Sequence, residues 1–288
     1  MELTLGFSPC PNDTFIFDAL IHHKIDTKGL TFRMEYYDVE TLNDKAFNNE
    51  LDITKLSYHA FAYAVDKYEL LDAGSALGFG VGPLLITKGE NLATKLKQYP
   101  EKDLPAALQD LRVGIPGRYT TANFLLGLAF PTLQSKQELV FSDIEQALLD
   151  NEIDLGLIIH ENRFTYQDKG LFKVVDLGDF WEKKTQQPIP LGGIVIKRDL
   201  PAEIKLLVNQ LIRESVEYAF ANPKSGLEYI RSHAQEMEET VMYKHIALYV
   251  NKYSIHLGKD GRSAVTILFD KALELGLIPK FDTNIFLT

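Results

Sequence analysis

Short apolar runs alternate with stretches of helical period along this chain. Leu155-Gly156-Leu157-Ile158-Ile159 reads as a buried strand, and so do the apolar centres of "GFGVGPLLITKGE" (Gly78 to Glu90) and "QPIPLGGIVIKRD" (Gln187 to Asp199). Beyond Pro201 the pattern turns helical. Ile204, Leu207, Val208, Leu211 and Ile212 fall on one face of a 3.6-residue period. Pro223 marks a new helix start, with further helices around Val241–Tyr253 and Ala264–Gly276. Strands alternating with helices predict an α/β fold with mostly parallel sheets.

The pattern also repeats. "DVETLN" leads to "NELDITKLSYHA", and "DIEQAL" leads to "NEIDLGLIIHEN". Upstream, "LTLGFSPCPNDTFIFDAL" and "LRVGIPGRYTTANFLLGLA" both read as strand, marked turn and helix. Each half thus supplies strand–helix–strand–helix–strand, which predicts two similar lobes facing each other. Expected boundaries are 1–90 for the first part of lobe 1, 91–190 for lobe 2, and 191–288 for the return and C-terminal helices. The polar stretch "NLATKLKQYPEKDLP" is a spacer.

Composition narrows the function. The chain has 288 residues, 45% hydrophobic and 24% charged, enough for a core without disulfide or metal staples. Its formal net charge is -10, with no basic stripe for nucleic acid. No run approaches the ~18 apolar residues of a membrane span. The start, "MELTLGFSPC", lacks a secretory signal pattern, and the single cysteine, Cys10, reads as a small buried apolar residue; both favour the cytoplasm.

In open α/β sheets, ligands bind beyond the carboxyl ends of strands. That rule selects "SPCPNDTF", where Asn12 or Asp13 can cap a helix beginning near Thr14, and "TKLSYHAF", where Ser57 ends a strand and can cap the next helix. It also selects "PGRYTTANF", with Thr120 or Thr121, and the strand ending at His160. Helix starts favour anions, so a carboxylate ligand fits. Ordinary capping fits Ser57, Thr120 and Thr121 equally well. On residues alone, His160 is as consistent with a structural ring as with a base, whose unperturbed pKa of ~6.5 suits proton transfer at neutral pH. Glu161 or Asn162 could orient it, and Arg163 could reach a substrate acid. His22-His23 reads as a helix end, and His59, His233, His245 and His256 show no ligand spacing. HExxH, paired CxxC, phosphate-loop, dinucleotide-loop and Gly-x-Ser-x-Gly patterns are absent, so neither metal nor cofactor is expected.

"SPCPNDTFIFDAL", "DITKLSYHA", "GIPGRYTTA" and "LGLIIHENRFTY" together resemble the 1,4-dihydroxy-6-naphthoate synthase family of menaquinone biosynthesis by the futalosine route. The likeness covers nearly the whole chain, including "VVDLGDFWEKKTQQPIPLGGI"; the first and fourth motifs are long and specific. It implies a type II periplasmic-binding-protein-like fold: two lobes, a ligand cleft between them, and a helical C-terminal segment. It implies a cofactor-free carbon–carbon lyase that converts cyclic dehypoxanthinyl futalosine to 1,4-dihydroxy-6-naphthoate and dihydroxyacetone. His160, in "IIHE", takes the place of the family's proposed proton acceptor. Lys55, Leu56, Ser57, Thr121 and Ala122 take the places of its ligand contacts, with no departure at these positions. The implied partner is a small carboxylate substrate; oligomeric state stays open. Rival readings are a binding-only solute-binding protein, a chorismate dehydratase-like sister enzyme and a ligand-sensing domain.

Overall fold

The computed structural model describes residues 1–99, 103–234 and 238–288. Part of the expected spacer, residues 100–102, therefore lies outside the described residues. The chain divides into two compact units, Met1–Gly78 with Pro190–Thr288, and Phe79–Ile189.

The first unit opens with β1 (Glu2–Phe7), α1 (Pro11–Ile21), β2 (Thr31–Tyr36), α2 (Val39–Phe47), β3 (Ile53–Ser57), α3 (Tyr58–Ala64), β4 (Tyr68–Leu70) and β5 (Ala76–Gly78). The second unit holds β6 (Leu84–Thr87), α4 (Glu90–Lys97), α5 (Leu104–Leu108), β7 (Val113–Ile115), α6 (Thr121–Ala129), β8 (Lys136–Glu138) and α7 (Ile144–Leu149). It continues through β9 (Leu155–Ile158), α8 (Asn162–Thr165), β10 (Phe172–Asp176) and α9 (Leu177–Thr185). The chain returns along β11 (Ile189–Lys197) and ends in α10 (Ala202–Ala221), α11 (Leu227–His233), α12 (Glu239–Tyr249), α13 (Lys252–Ile255) and α14 (Gly258–Glu274).

The first sheet has the order β2-β1-β3-β11-β4, with β5 paired to β11; the second has the order β10-β6-β9-β7-β8. Within each repeat the pairing is parallel: β1 with β2 and β3, and β7 with β8 and β9. The remaining strands run antiparallel, β11 against β3 and β4, and β6 against β9 and β10. The sheets are therefore mixed rather than mostly parallel, because the strands outside the repeat run back along it. The crossing lies at Gly78–Phe79 rather than at residue 90, since β6 pairs within the second sheet. Helix α11 starts at Leu227, not Pro223. The expected Val241–Tyr253 helix is two pieces, because a capping box at Asn251 starts α13 afresh.

The repeat extends to single hydrogen bonds. After α2, Asn49 N–H donates to Ala46 O and Glu50 N–H to Lys45 O; after α7, Asn151 N–H donates to Leu148 O and Glu152 N–H to Ala147 O. Each pair is a Schellman turn, with the asparagine left-handed at φ 57° and 59°. Three residues on, Asp52 accepts from Thr4 N–H (2.8 Å) and Asp154 from Arg112 N–H (2.9 Å), tying the third strand of each repeat to its first. A Cβ on Gly6 would meet Leu51 Cδ1 at 2.4 Å, and one on Gly114 would meet Ile153 Cδ1 at 2.6 Å. The "NELD" and "NEID" strings thus encode a helix stop, a core residue and a staple, twice.

All residues of α1 are buried, including its polar ones. It packs in one core with β1, β3, α10 and α12, through Phe15, Phe17, Leu20, Ile53, Leu211, Val216 and Ile246. The second unit has a smaller core, with Ile86, Ile144, Leu148, Ile153 and Ile158. Among the described residues, no helix is long and apolar enough to cross a membrane.

Candidate functional site

In the first unit, β1 and β3 run parallel, so the start of α1 and the end of β3 lie at one carboxyl edge of the sheet. Here α1 begins at Pro11, three residues before the expected start, with Cys10 in the capping position. Proline suits the first helical turn because no intrahelical acceptor awaits its missing N–H. Asp13 consequently sits inside the first turn, and neither it nor Asn12 is the cap.

Asp13 is 2% exposed and heavily used. Its Oδ2 accepts from Ser8 Oγ (2.8 Å) and Ser8 N–H (3.3 Å), and its Oδ1 accepts from Asn12 Nδ2 (2.8 Å). Lys55 Nζ lies 3.1 Å from Asp13 Oδ1, with only 8% of the lysine side chain exposed. The same ammonium donates to Gly74 O at 2.9 Å. Asn12 Oδ1 lies 2.7 Å from Nε2 of His245, a fully buried ring on α12. This helix start already holds a carboxylate of its own, so its positive end is partly neutralised before any ligand arrives.

Ser57 precedes α3, but its side chain makes no capping bond. Its backbone N–H donates instead to Asn43 Oδ1 (3.1 Å), a buried amide on α2. The expected Ser57 cap is therefore not formed: Asn43 holds the Ser57 N–H, and the Ser57 hydroxyl makes no capping bond to α3. Across the strand pair, Gly192 lies opposite Ser57 and Gly193 opposite Leu56. A Cβ on Gly192 would meet Leu56 O at 2.7 Å, so glycine keeps β11 close against this strand end.

In the second unit, β7 and β9 run parallel, so the start of α6 and His160 share the equivalent edge. Thr120 is the cap of α6: its Oγ accepts from Asn123 N–H (3.2 Å) and donates to Gly117 O (2.8 Å). Thr121 and Ala122 follow at the first two helical positions, both buried. That turn is where backbone donors outrun intrahelical acceptors. Lys136, on β8, donates to Asn123 Oδ1 at 3.1 Å, and burial pushes its ammonium pKa down.

His160 follows β9 with φ 58°, a left-handed backbone that histidine visits at a cost of about 1–2 kcal/mol. The residue is half-buried and its ring packs on Phe141, centroids 4.8 Å apart. Strained non-glycine residues concentrate at functional sites, which raises His160 above an ordinary core histidine. Arg163 is not available for a substrate acid. One guanidinium nitrogen donates to Gly82 O, and another to Asp176 Oδ2 at 3.1 Å. Asp176 in turn caps α9 through Gly178 N–H. Arg163 is a clamp within the second unit.

The sequence matches the menaquinone biosynthesis family over residues 3–274. The chain belongs to that family. It is 43% identical to the 1,4-dihydroxy-6-naphtoate synthase of Thermus thermophilus, covering 96% of this chain and 95% of the relative. It is 38% identical to the enzyme of that name from Streptomyces coelicolor, with the same coverages. A crystal structure of an Archaeoglobus fulgidus protein superposes with a TM-score of 0.87 at 37% identity, covering 96% of this family member and 98% of that chain. The alkanesulfonate-binding protein of Xanthomonas axonopodis pv. citri, at 12% identity, shares the fold with a TM-score of 0.69, covering 99% and 96% of the two chains. The α/β architecture is thus periplasmic-binding-protein-like, and the menaquinone family has built an enzyme's chain on it.

Sequence reasoning missed Asn43, His245 and the pairing of Asp13 with Lys55. Asp13 and Lys55 lay inside quoted motifs, but nothing in their spacing joins them. His245 stands 233 residues from Asn12, so no local pattern points to it.

Proposed function

We propose that this chain is a 1,4-dihydroxy-6-naphthoate synthase, a carbon–carbon lyase that converts cyclic dehypoxanthinyl futalosine to 1,4-dihydroxy-6-naphthoate and dihydroxyacetone. The carrying observation is 43% identity to an enzyme of that name over nearly the full length of both chains. Geometry adds support, since Ser57 ends β3, Thr121 opens the helix after β7 and His160 follows β9, each at the carboxyl edge of its own sheet.

In this reading His160 is the general base. It takes a proton from carbon beside a carbonyl; the electrons move into the ring system, which becomes aromatic as the three-carbon fragment leaves. Lys55, Leu56, Ser57, Thr121 and Ala122 are the substrate contacts: in the first unit an ammonium and a hydroxyl suit an anionic group, and in the second the first N–H groups of α6 suit one as well. Positioning supplies much of the acceleration, and general-base help typically supplies about 10²–10⁴-fold.

Purified protein incubated with the cyclic substrate should release the fluorescent naphthol product. His160→Ala should retain substrate binding by calorimetry while kcat falls about 10²-fold or more. Wild-type protein that binds the substrate without turning it over would defeat the lyase reading. An undiminished rate in the variant would remove His160 from the chemistry.

A further inference from the structure

Lys55 is held in an unusual way for a ligand-binding lysine. It is nearly enclosed, it faces a buried carboxylate, and its ammonium also donates to a main-chain carbonyl. An ammonium has three N–H bonds and free rotation about its last carbon bond. Contacts to Asp13 on one side and Gly74 O on another remove that freedom and fix the direction left for a ligand.

Asp13 is itself fixed by Asn12 and Ser8, and the polarity of each bond can be read. Asn12 Nδ2 donates to Asp13 Oδ1, because an ionised carboxylate only accepts. The amide oxygen of Asn12 therefore faces His245, and that oxygen also only accepts. His245 Nε2 must then carry a proton and donate, at 2.7 Å. The chain of donation runs from His245 to Asn12 to Asp13, with Lys55 on the far side of the carboxylate. His245 lies on α12, 0% exposed, in an element that contributes no residue to the proposed site. A fully buried ring placed behind an asparagine that can point only one way is a locking device.

We propose that His245 is a positioning residue for Lys55, acting through Asn12 and Asp13. It locks the Asn12 amide, which aims the Asp13 carboxylate, which holds the ammonium where the substrate carboxylate is received. This rests on the reading of Lys55 as a substrate ligand, and His245 itself touches no substrate. Its loss should weaken substrate capture and leave the chemical step nearly alone, because the base is a different residue on a different unit.

The experiment compares His245→Leu and His245→Gln in the full chain, using the cyclic substrate. Leucine fills the space without a donor; glutamine offers an amide N–H to Asn12 Oδ1. His245→Leu should raise KM about tenfold with kcat within about threefold of wild type, and His245→Gln should recover most of the KM. The Lys55 ammonium nitrogen, labelled with ¹⁵N, gives a second readout that needs no turnover. Its signal should be sharp in wild type and His245→Gln, and broadened in His245→Leu. Where His245→Leu does not fold, Asn12→Ala removes the middle member and should give the same KM and ammonium changes. An unchanged KM, a loss confined to kcat, or an unaltered Lys55 signal in the leucine variant would overturn the proposal. So would equal losses in both variants accompanied by equal falls in Tm, which mark a packing role. If wild type fails to turn over the substrate, the synthase reading falls, while the Lys55 signal still reports on the lock.

Discussion

At the scale of residues, a buried charge pair and a strained histidine carry the argument. Removing one partner of a buried ion pair strands the other charge, at a cost of about 3–5 kcal/mol. Lys55→Met should therefore lower unfolding stability by about that much in urea titrations. Replacing Asp13 by Asn in the same chain should restore part of it, since no lone charge is then buried while an amide oxygen still accepts from Ser8. A surface-type pair would show neither the large single loss nor the recovery. Of the residues singled out by the pattern, Ser57 ends β3, Thr121 opens α6 and His160 follows β9, whereas Lys55, taken from the family likeness, lies in the middle of β3. What the pattern lacked was occupancy. Arg163 looked free but is engaged by Gly82 O and Asp176, and Ser57 looked like a cap while Asn43 took its N–H.

At the scale of elements, the two repeats make predictions in pairs. Asn49 and Asn151 both end a helix in the left-handed region, which suits asparagine or glycine and penalises a Cβ without a compensating side chain. Asn151→Ala should destabilise the protein by about 1 kcal/mol, and Asn151→Gly should be near neutral or slightly stabilising. Asn49 should behave the same way, and thermal or urea unfolding of the four variants checks the symmetry. A different element contact is less forgiving. A Cβ on Gly82 would lie 2.2 Å from both Cα and N of Gly178, which is backbone against backbone. Side-chain rotation cannot relieve that clash, so Gly82→Ala should cost at least about 1–3 kcal/mol. Wild-type stability in that variant would show that the loop before β6 shifts easily.

At the scale of the whole molecule, the same duplication governs acid stability. Burial works against Asp52 ionisation, but the Thr4 N–H and hydroxyl and Lys197 together pull its pKa below the usual carboxylate value. Arg112, through its side chain and N–H, pulls Asp154 down against a smaller burial effect. A carboxyl whose folded pKa is depressed stabilises the fold above its unfolded value, near ~3.9, and loses that contribution as pH falls through the folded value. Both units should therefore weaken together below about pH 4. Asp52→Asn and Asp154→Asn should each be less stable than wild type at pH 7, with the gap narrowing toward pH 3. Denaturant titrations at the two pH values measure this, and a gap that widens in acid would contradict it.

The chain's local chemistry was decided by its sequence alone. Alternating periods define strands and helices because side chains recur every two or every 3.6 residues, and the repeated Asn-Glu-apolar-Asp string announces its own duplication. The family likeness, read from whole motifs, belongs to the same level. Tertiary structure alone decided which polar groups are already spoken for. Asn12 meets His245, and Ser57 meets Asn43, through packing between elements that no spacing rule connects. It also decided that β6 belongs with β9 and β10, since strand partners are chosen by sheet closure and burial rather than by position in the chain. Local order follows from covalent neighbours, whereas the pairing of buried donors and acceptors exists only once the chain has brought distant segments together.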